Sequence, residues 1–202
     1  MVTNEFCRPK RRFAHAVQRQ NAANGLRSMV RVLPGGLYCT RYPETITTGL
    51  GSCIAVCLWD NSTQIAAMNH FVLPKPCLRE ALETPTDLAL ANRTVLNAHS
   101  LRFAEPAMQA LITEAENLGA CRASMEFKIF GGAQLLGATE GQSDYSVGEQ
   151  NVAFILAYMR QQQLRITAKD LGGLSPMRIQ FDSSSGKVWR QRLPLNLEVT
   201  WV

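Results

Sequence analysis

Cys53 and His70 are the side chains of this chain placed for covalent chemistry, and both lie in the stretch Thr47–Pro74. A polar, glycine-bearing turn, Thr47-Thr48-Gly49-Leu50-Gly51-Ser52, delivers Cys53. An apolar run from Ile54 to Trp59 follows, then Asp60-Asn61-Ser62-Thr63, then a second apolar run, Ile65 to Leu73, that carries His70 and stops at Pro74. Two β-rich runs around an Asp-Asn-Ser cluster predict a hairpin. With the turn centred on Asn61-Ser62, Cys53 falls opposite His70. Side chains alternate faces along a strand, so a slip of two residues keeps both on one face and a slip of one separates them. An imidazole that draws off a thiol proton yields the thiolate, the reactive form of a cysteine nucleophile.

The residues before Cys53 suit the same chemistry. The small side chains of Gly51 and Ser52 let a substrate carbonyl approach the backbone, where N–H groups could hold an oxyanion. Thr47 offers a hydroxyl to orient the imidazole or the substrate. The other two histidines are less well placed, His15 in an N-terminal arm and His99 in a long polar loop. On spacing alone a second reading stays open, a plain buried cysteine and a satisfied core histidine.

The surrounding pattern supplies elements to position this stretch. Leu37–Tyr42 reads as a strand after the turn Pro34-Gly35-Gly36, and Thr45–Thr48 follows the turn at Pro43-Glu44. Residues 75–101 read as a long loop with a helical turn at Asp87–Asn97, a candidate wall or lid. Phe103–Leu118 has apolar residues at helical spacing, with Pro106 suited to the first turn and Gly119 to the end. Ala123–Phe130 alternates as a strand into Gly131-Gly132, Leu135–Ser146 is a Gly-rich loop, and Gly148–Gln163 reads as a second amphipathic helix with Val152, Ile155, Leu156 and Met159 inward. Ile166–Ala168 predicts a strand, Met177–Phe181 and Lys187–Arg192 a hairpin, and Leu197–Val202 a last strand. Many strands with two well-separated helices predict an α/β (α+β) layered sandwich around a mixed sheet.

Composition narrows the class. The 202 residues are 46% hydrophobic and 18% charged, which predicts one soluble domain with a substantial core. No apolar run reaches membrane-span length and no apolar signal core is evident, so the expected location is the cytoplasm, without membrane insertion. Six cysteines without a CxxC pair, and isolated histidines, predict free thiols and no metal site. The net charge of +5 is concentrated in residues 1–32, where seven Lys and Arg face Glu5 alone. The remainder is nearly neutral, which argues against a nucleic-acid groove on the folded body. Residues 1–31 therefore read as a flexible basic arm with a marginal helix at Phe13–Gln20, either a solvated tail or a docking device for an acidic partner or the anionic membrane surface. Residues 32–202 read as the catalytic domain.

At these residues the chain resembles the chemoreceptor glutamine deamidases of the CheD family. The matching pattern is Thr47-x-Gly49-Leu50-Gly51-Ser52-Cys53-x-Ala55-Val56-Cys57, then Asp60, Met68-Asn69-His70 and Leu73-Pro74. It continues through Phe103-Ala104, Leu118-Gly119-Ala120, Lys128-Ile129-x-Gly131-Gly132-Ala133, Gly148-x-x-Asn151, and Asp170-x-Gly172-Gly173 with Arg178 and Gly186. The ordered set spans about residues 33–192. The resemblance implies hydrolysis of specific glutamines on the cytoplasmic helices of methyl-accepting chemotaxis receptors through a Cys thioester, with activity of some members on receptor glutamate methyl esters. It implies Cys53 as nucleophile, His70 as base and Thr47 as the assisting residue, with no cofactor and no metal. It also implies a fold like that of a deamidating bacterial toxin and, for many members, a CheC-type phosphatase as partner. Two competing readings are a docking module without catalysis and a thiol hydrolase acting on a glutamine of some other protein.

Overall fold

A computed structural model describes residues 12–20, 28–75, 100–134 and 146–194. In chain order the elements are β1 (Arg12–Gln20), β2 (Met29–Thr40), β3 (Thr45–Leu50), β4 (Ile54–Asp60), β5 (Ile65–Phe71), α1 (Ala104–Asn117), β6 (Met125–Gly131), α2 (Val147–Gln161), β7 (Ile166–Leu171), β8 (Met177–Asp182) and β9 (Val188–Arg192). The strands form one mixed sheet in the order β7-β6-β4-β5-β2-β3-β8-β9, with β1 paired to β2. The helical turn expected at 87–97, most of the Gly-rich loop at 135–146 and the strand expected at 197–202 lie outside the described residues.

The apolar hairpin of the sequence is the centre of the sheet. Every residue of β5 is buried, as is all of β4 except Trp59, the signature of strands covered on both faces. One face carries Leu37, Val56, Phe71, Phe127 and Ile129 against Ala104, Met108, Leu111 and Ala115 of α1 and Ile155 and Met159 of α2. Burying a side chain of this kind is worth about 1.5–3 kcal/mol, so the helix layer is a major part of the hydrophobic stabilisation. A capping box between Ser146 and Glu149 starts α2, and Gly119, at φ 101°, ends α1. The layered α+β architecture agrees with the pattern reading.

The opposite face is closed by the sheet itself. Ala55, Cys57, Met68 and Phe130 of the central strands share a core with Ile46, Leu50, Met177, Ile179 and Phe181 from β3 and β8. The two ends of the sheet meet, because Asp170 of β7 pairs with Arg190 at 2.7 Å and Arg192 at 2.5 Å, both of β9. The Lys128 ammonium also donates to the Gly186 carbonyl. The curl begins in β2. Its first residues pair in parallel with β3, Met29↔Thr45 to Arg31↔Thr47, and its last pair antiparallel with β5, Gly36↔His70 to Thr40↔Ala66. Pro34-Gly35-Gly36 is thus a corner within one strand rather than the turn before it. A Cβ on Gly36 would stand 2.6 Å from the Ala16 and Leu33 carbonyl oxygens, so only glycine fits this corner.

The N-terminal arm differs from its sequence reading. Phe13–Gln20 is not helical, and Arg12–Gln20 form β1, antiparallel to β2, so the division at residue 31 falls inside a paired sheet. His15 accordingly stands in β1 opposite Leu37. The cause is Glu44, 1% exposed. Its carboxylate accepts hydrogen bonds from Arg12 at 2.5 Å, the Tyr38 hydroxyl at 2.5 Å and the Thr40 hydroxyl at 2.9 Å, with Arg19 at 3.5 Å. A buried carboxylate requires such partners, and two of the arm's arginines supply them. Burial and the adjacent Glu44 push the Tyr38 hydroxyl up to about 12, so it stays protonated and donating.

Candidate active site

The β4–β5 hairpin closes through Asn61–Gln64, with Gln64 at φ 57°, and Asp60 accepts from the Ser62 N–H, the Ser62 hydroxyl and the Thr63 hydroxyl. The pairing is therefore Asp60↔Ile65 through Ala55↔His70 to Ile54↔Phe71, two positions from the register expected of a tight two-residue turn. A slip of two preserves the face. His70 lies beside Met68's side of the sheet, and Cys53 packs against the same core as Ala55 and Cys57. Diagonal neighbours on one face of an antiparallel pair stand about 7–8 Å apart at the backbone. Cys53 and His70 thus share a face at the open end of the hairpin.

The ring is held from one side only. The Thr48 hydroxyl donates to the Val32 carbonyl at 2.8 Å and stands 2.8 Å from His70 Nδ1. A hydroxyl has one proton; with that proton on the carbonyl, its oxygen accepts from Nδ1–H. The imidazole is then the Nδ1–H tautomer, and the lone pair is on Nε2. Nε2 is buried without a hydrogen-bond partner among the described residues. His70 is 2% exposed, and burial pushes its pKa down to about 4, against the opposing pull of the Val32 carbonyl. The imidazole is neutral at physiological pH.

The thiol turn is fixed from behind. Ala133 N–H donates to the Gly51 carbonyl, Asn151 Nδ2 to the Ser52 carbonyl and Gly132 N–H to the Cys53 carbonyl, each at 2.9 Å. Asn151 also donates to the Val72 carbonyl at 2.8 Å, tying the turn to the end of β5. A Cβ on Gly131, at φ 113°, would lie 2.1 Å from the Cys53 carbonyl oxygen, so glycine alone permits this approach. Within a trans peptide the C=O and N–H point in opposite directions. With the Gly51 and Ser52 carbonyls turned inward, the Ser52 and Cys53 N–H groups point the other way. Burial raises the Cys53 thiol, while its own N–H and the Arg102 guanidinium pull it down. The pair therefore rests as thiol and neutral imidazole, not as an ion pair.

Thr47 is not the residue beside the ring. Its hydroxyl donates to the Ile179 carbonyl at 2.7 Å, and the residue lines a cleft of about 450 Å³ with Arg31, Gly49 and Arg178. Alternation along β3 puts Thr48 on the core face and Thr47 on the outer one. Among the described residues no three His, Cys, Asp or Glu side chains gather as metal ligands. No described helix is long and apolar enough to cross a membrane.

The family model described as CheD chemotactic sensory transduction matches residues 89–192. A protein of Vibrio vulnificus named probable chemoreceptor glutamine deamidase CheD is 40% identical over 174 residues, 86% of this chain and 75% of that one. The chain belongs to the CheD family. A Vibrio cholerae protein of the same name is 38% identical over 87% of this chain and 70% of its own length, and one of Hahella chejuensis is 35% identical over 88% and 76%. The geometry brings in two residues that chemical reasoning from the sequence did not single out, Thr48 beside the His70 ring and Asn151 behind the thiol turn. Asn151 had a visible signal, since it shares the buried line of α2 with Ile155 and Met159. A lone amide on an apolar helix stripe must find polar partners inside the fold. Thr48 had none beyond its neighbourhood with Thr47.

Proposed function

We propose that this protein hydrolyses the side-chain amide of glutamines on chemoreceptors, with Cys53 as nucleophile and His70 as general base. The observation that carries the reading is the buried, unpartnered Nε2 of a tautomer-fixed His70 on the face shared with Cys53. The names of the relatives supply the substrate class.

The steps follow from the atoms. As Cys53 Sγ attacks the carboxamide carbon, its proton passes to Nε2, so neither charge exists before substrate arrives. The Ser52 and Cys53 N–H groups face the developing oxyanion, and donors fixed in advance are the largest usual contribution to such reactions. The imidazolium returns the proton to the leaving nitrogen, ammonia departs and a thioester remains. Nε2 then takes a proton from water as its oxygen attacks the thioester carbon, and returns it to sulfur as glutamate is released. Nδ1–H on Thr48 keeps the ring oriented through both half-reactions. The same attack on a glutamate methyl ester expels methanol in place of ammonia. Thr47 positions substrate from the outer side of β3, and Gly51 and Ser52 give the clearance. The enzyme acts on the cytoplasmic receptor helices, and a CheC-type phosphatase would compete for the same face.

The test is incubation with a purified receptor cytoplasmic fragment, reading every glutamine by mass spectrometry. Conversion of particular glutamines to glutamate, absent with Cys53→Ala and His70→Ala, is the expected result. Binding without ammonia release would replace the enzyme with a docking module. Conversion that survives Cys53→Ala would remove the thiol from the mechanism.

A further inference from the structure

The registers place Arg31 of β2, Thr47 of β3, Gln180 of β8 and Trp189 of β9 in one cross-strand row. Directly opposed residues share a face, so this row lies on the outer surface of the sheet, opposite to the Thr48 side. One step along β3, Gly49 faces Arg178, and the cleft of about 450 Å³ opens between the two arginines over Thr47 and Gly49. Trp189 is 56% exposed, a large aromatic presented on the surface. Arg12, Arg19, Arg190 and Arg192 are each engaged by a carboxylate, whereas Arg31 and Arg178 are in no ion pair among the described residues. The carboxylate sharing this face, Asp182 opposite Thr45, is turned into its own hairpin by the Ser184 N–H and the Ser185 hydroxyl.

We propose that this face docks the acidic surface of the polypeptide that carries the target glutamine. The inference rests on the deamidase reading and adds its recognition element. Three strand spacings separate Arg31 from Trp189, about 14 Å, the length of roughly nine helical residues. That span exceeds one side chain and suits a helix presenting carboxylates to two guanidiniums, with Trp189 as the aromatic anchor. Continuity supplies the second argument. Gly49 is four residues from Cys53, so a polypeptide seated over the cleft brings its neighbouring glutamine to the thiol turn.

The experiment uses the full chain and the receptor cytoplasmic fragment. Arg31→Glu/Arg178→Glu is compared with wild type and with Arg160→Glu, a charge reversal on the far side of α2. KM for the fragment is expected to rise at least about 10-fold in the double variant, and the salt dependence of kcat/KM to flatten. Iodoacetamide alkylation of Cys53 should keep its wild-type rate, which shows the thiol turn intact. Trp189→Ala is expected to raise KM about 5-fold or more. Equal KM and equal salt dependence in wild type and double variant would overturn the proposal. Equilibrium binding of the fragment to Cys53→Ala protein separates this outcome from failure of the deamidase reading. Binding weakened by the two reversals without any ammonia release leaves the docking face standing and removes the chemistry. Binding indifferent to the reversals, or absent altogether, removes the docking face.

Discussion

Glu44 and His70 are both buried and polar, and β3 runs between their surroundings, yet they are treated in opposite ways. Glu44, just before β3, has both carboxylate oxygens occupied by Arg12, Tyr38 and Thr40, while its own N–H is taken by Ser183 Oγ at 2.7 Å. His70, reached from the other half of β3 by Thr48, has one nitrogen held and the other bare. Buried polar groups without partners are rare and costly, so an orphaned one at a folded corner marks where the protein keeps capacity for something else. The Glu44 cluster specifies structure. The His70 corner keeps a lone pair available.

The sharpest break of this contrast is Cys53→Ala, expected to lower deamidation by about 10⁴-fold or more while thermal unfolding is little changed. Ammonia release and calorimetry on the same preparation check both halves. The next concerns pH. Between pH 6.5 and about 4 the unfolded chain takes up a proton on His70 that the folded chain refuses. Stability is therefore complete above pH 6.5 and is lost as pH falls towards 4, by about 3 kcal/mol. Urea titrations at pH 7 and 4.5 should show this slope in wild type and a flatter one in His70→Gln. The acid limb of kcat/KM should lie near the same low value, well below that of an ordinary histidine. Identical pH slopes in the two proteins would mean the ring is not held neutral.

Glu44→Gln tests the structural member. It is expected to cost about 2–3 kcal/mol, near the lower end for breaking a buried pair because Arg12 and Arg19 can turn to solvent. The specific activity of folded protein should be retained. Asn151→Leu acts on the backing of the thiol turn, and a drop of about 10–100-fold in kcat is expected with a smaller change in KM. Smallest is Thr48→Val, at about 10-fold in kcat, with Thr48→Ser restoring the rate and ring ¹⁵N shifts reporting loss of the Nδ1–H tautomer. Thr47→Val should instead act on KM, which separates the two adjacent threonines.

The hairpin and both helices were legible because apolar periodicity reports burial directly. The shared face of Cys53 and His70 was legible for a more forgiving reason. The turn took four residues rather than two, and an even slip leaves sidedness intact. The strand β1 was hidden by its composition. Phe13, His15 and Val17 do alternate inward, but arginine and glutamine between them resemble a solvated tail, and the buried carboxylate that recruits Arg12 and Arg19 lies 32 and 25 residues away. The hydroxyl beside His70 was missed by one position. Which of two adjacent threonines meets the ring depends on the phase of β3, and that phase is set by β8, far along the chain.

The thiol turn is held by donors that the ribosome adds long after Cys53. The Ser52 carbonyl accepts from Asn151, 99 residues downstream, and β3 just before it is tied by the Thr47 hydroxyl, which donates to the Ile179 carbonyl 132 residues downstream. Until Gly132, Ala133 and Asn151 have emerged, the Gly51, Ser52 and Cys53 carbonyls lack the donors that turn them inward and aim the Ser52 and Cys53 N–H groups outward. A growing chain thus carries Cys53 without the ordered N–H groups beside it, and the turn is completed only when most of the polypeptide has been made.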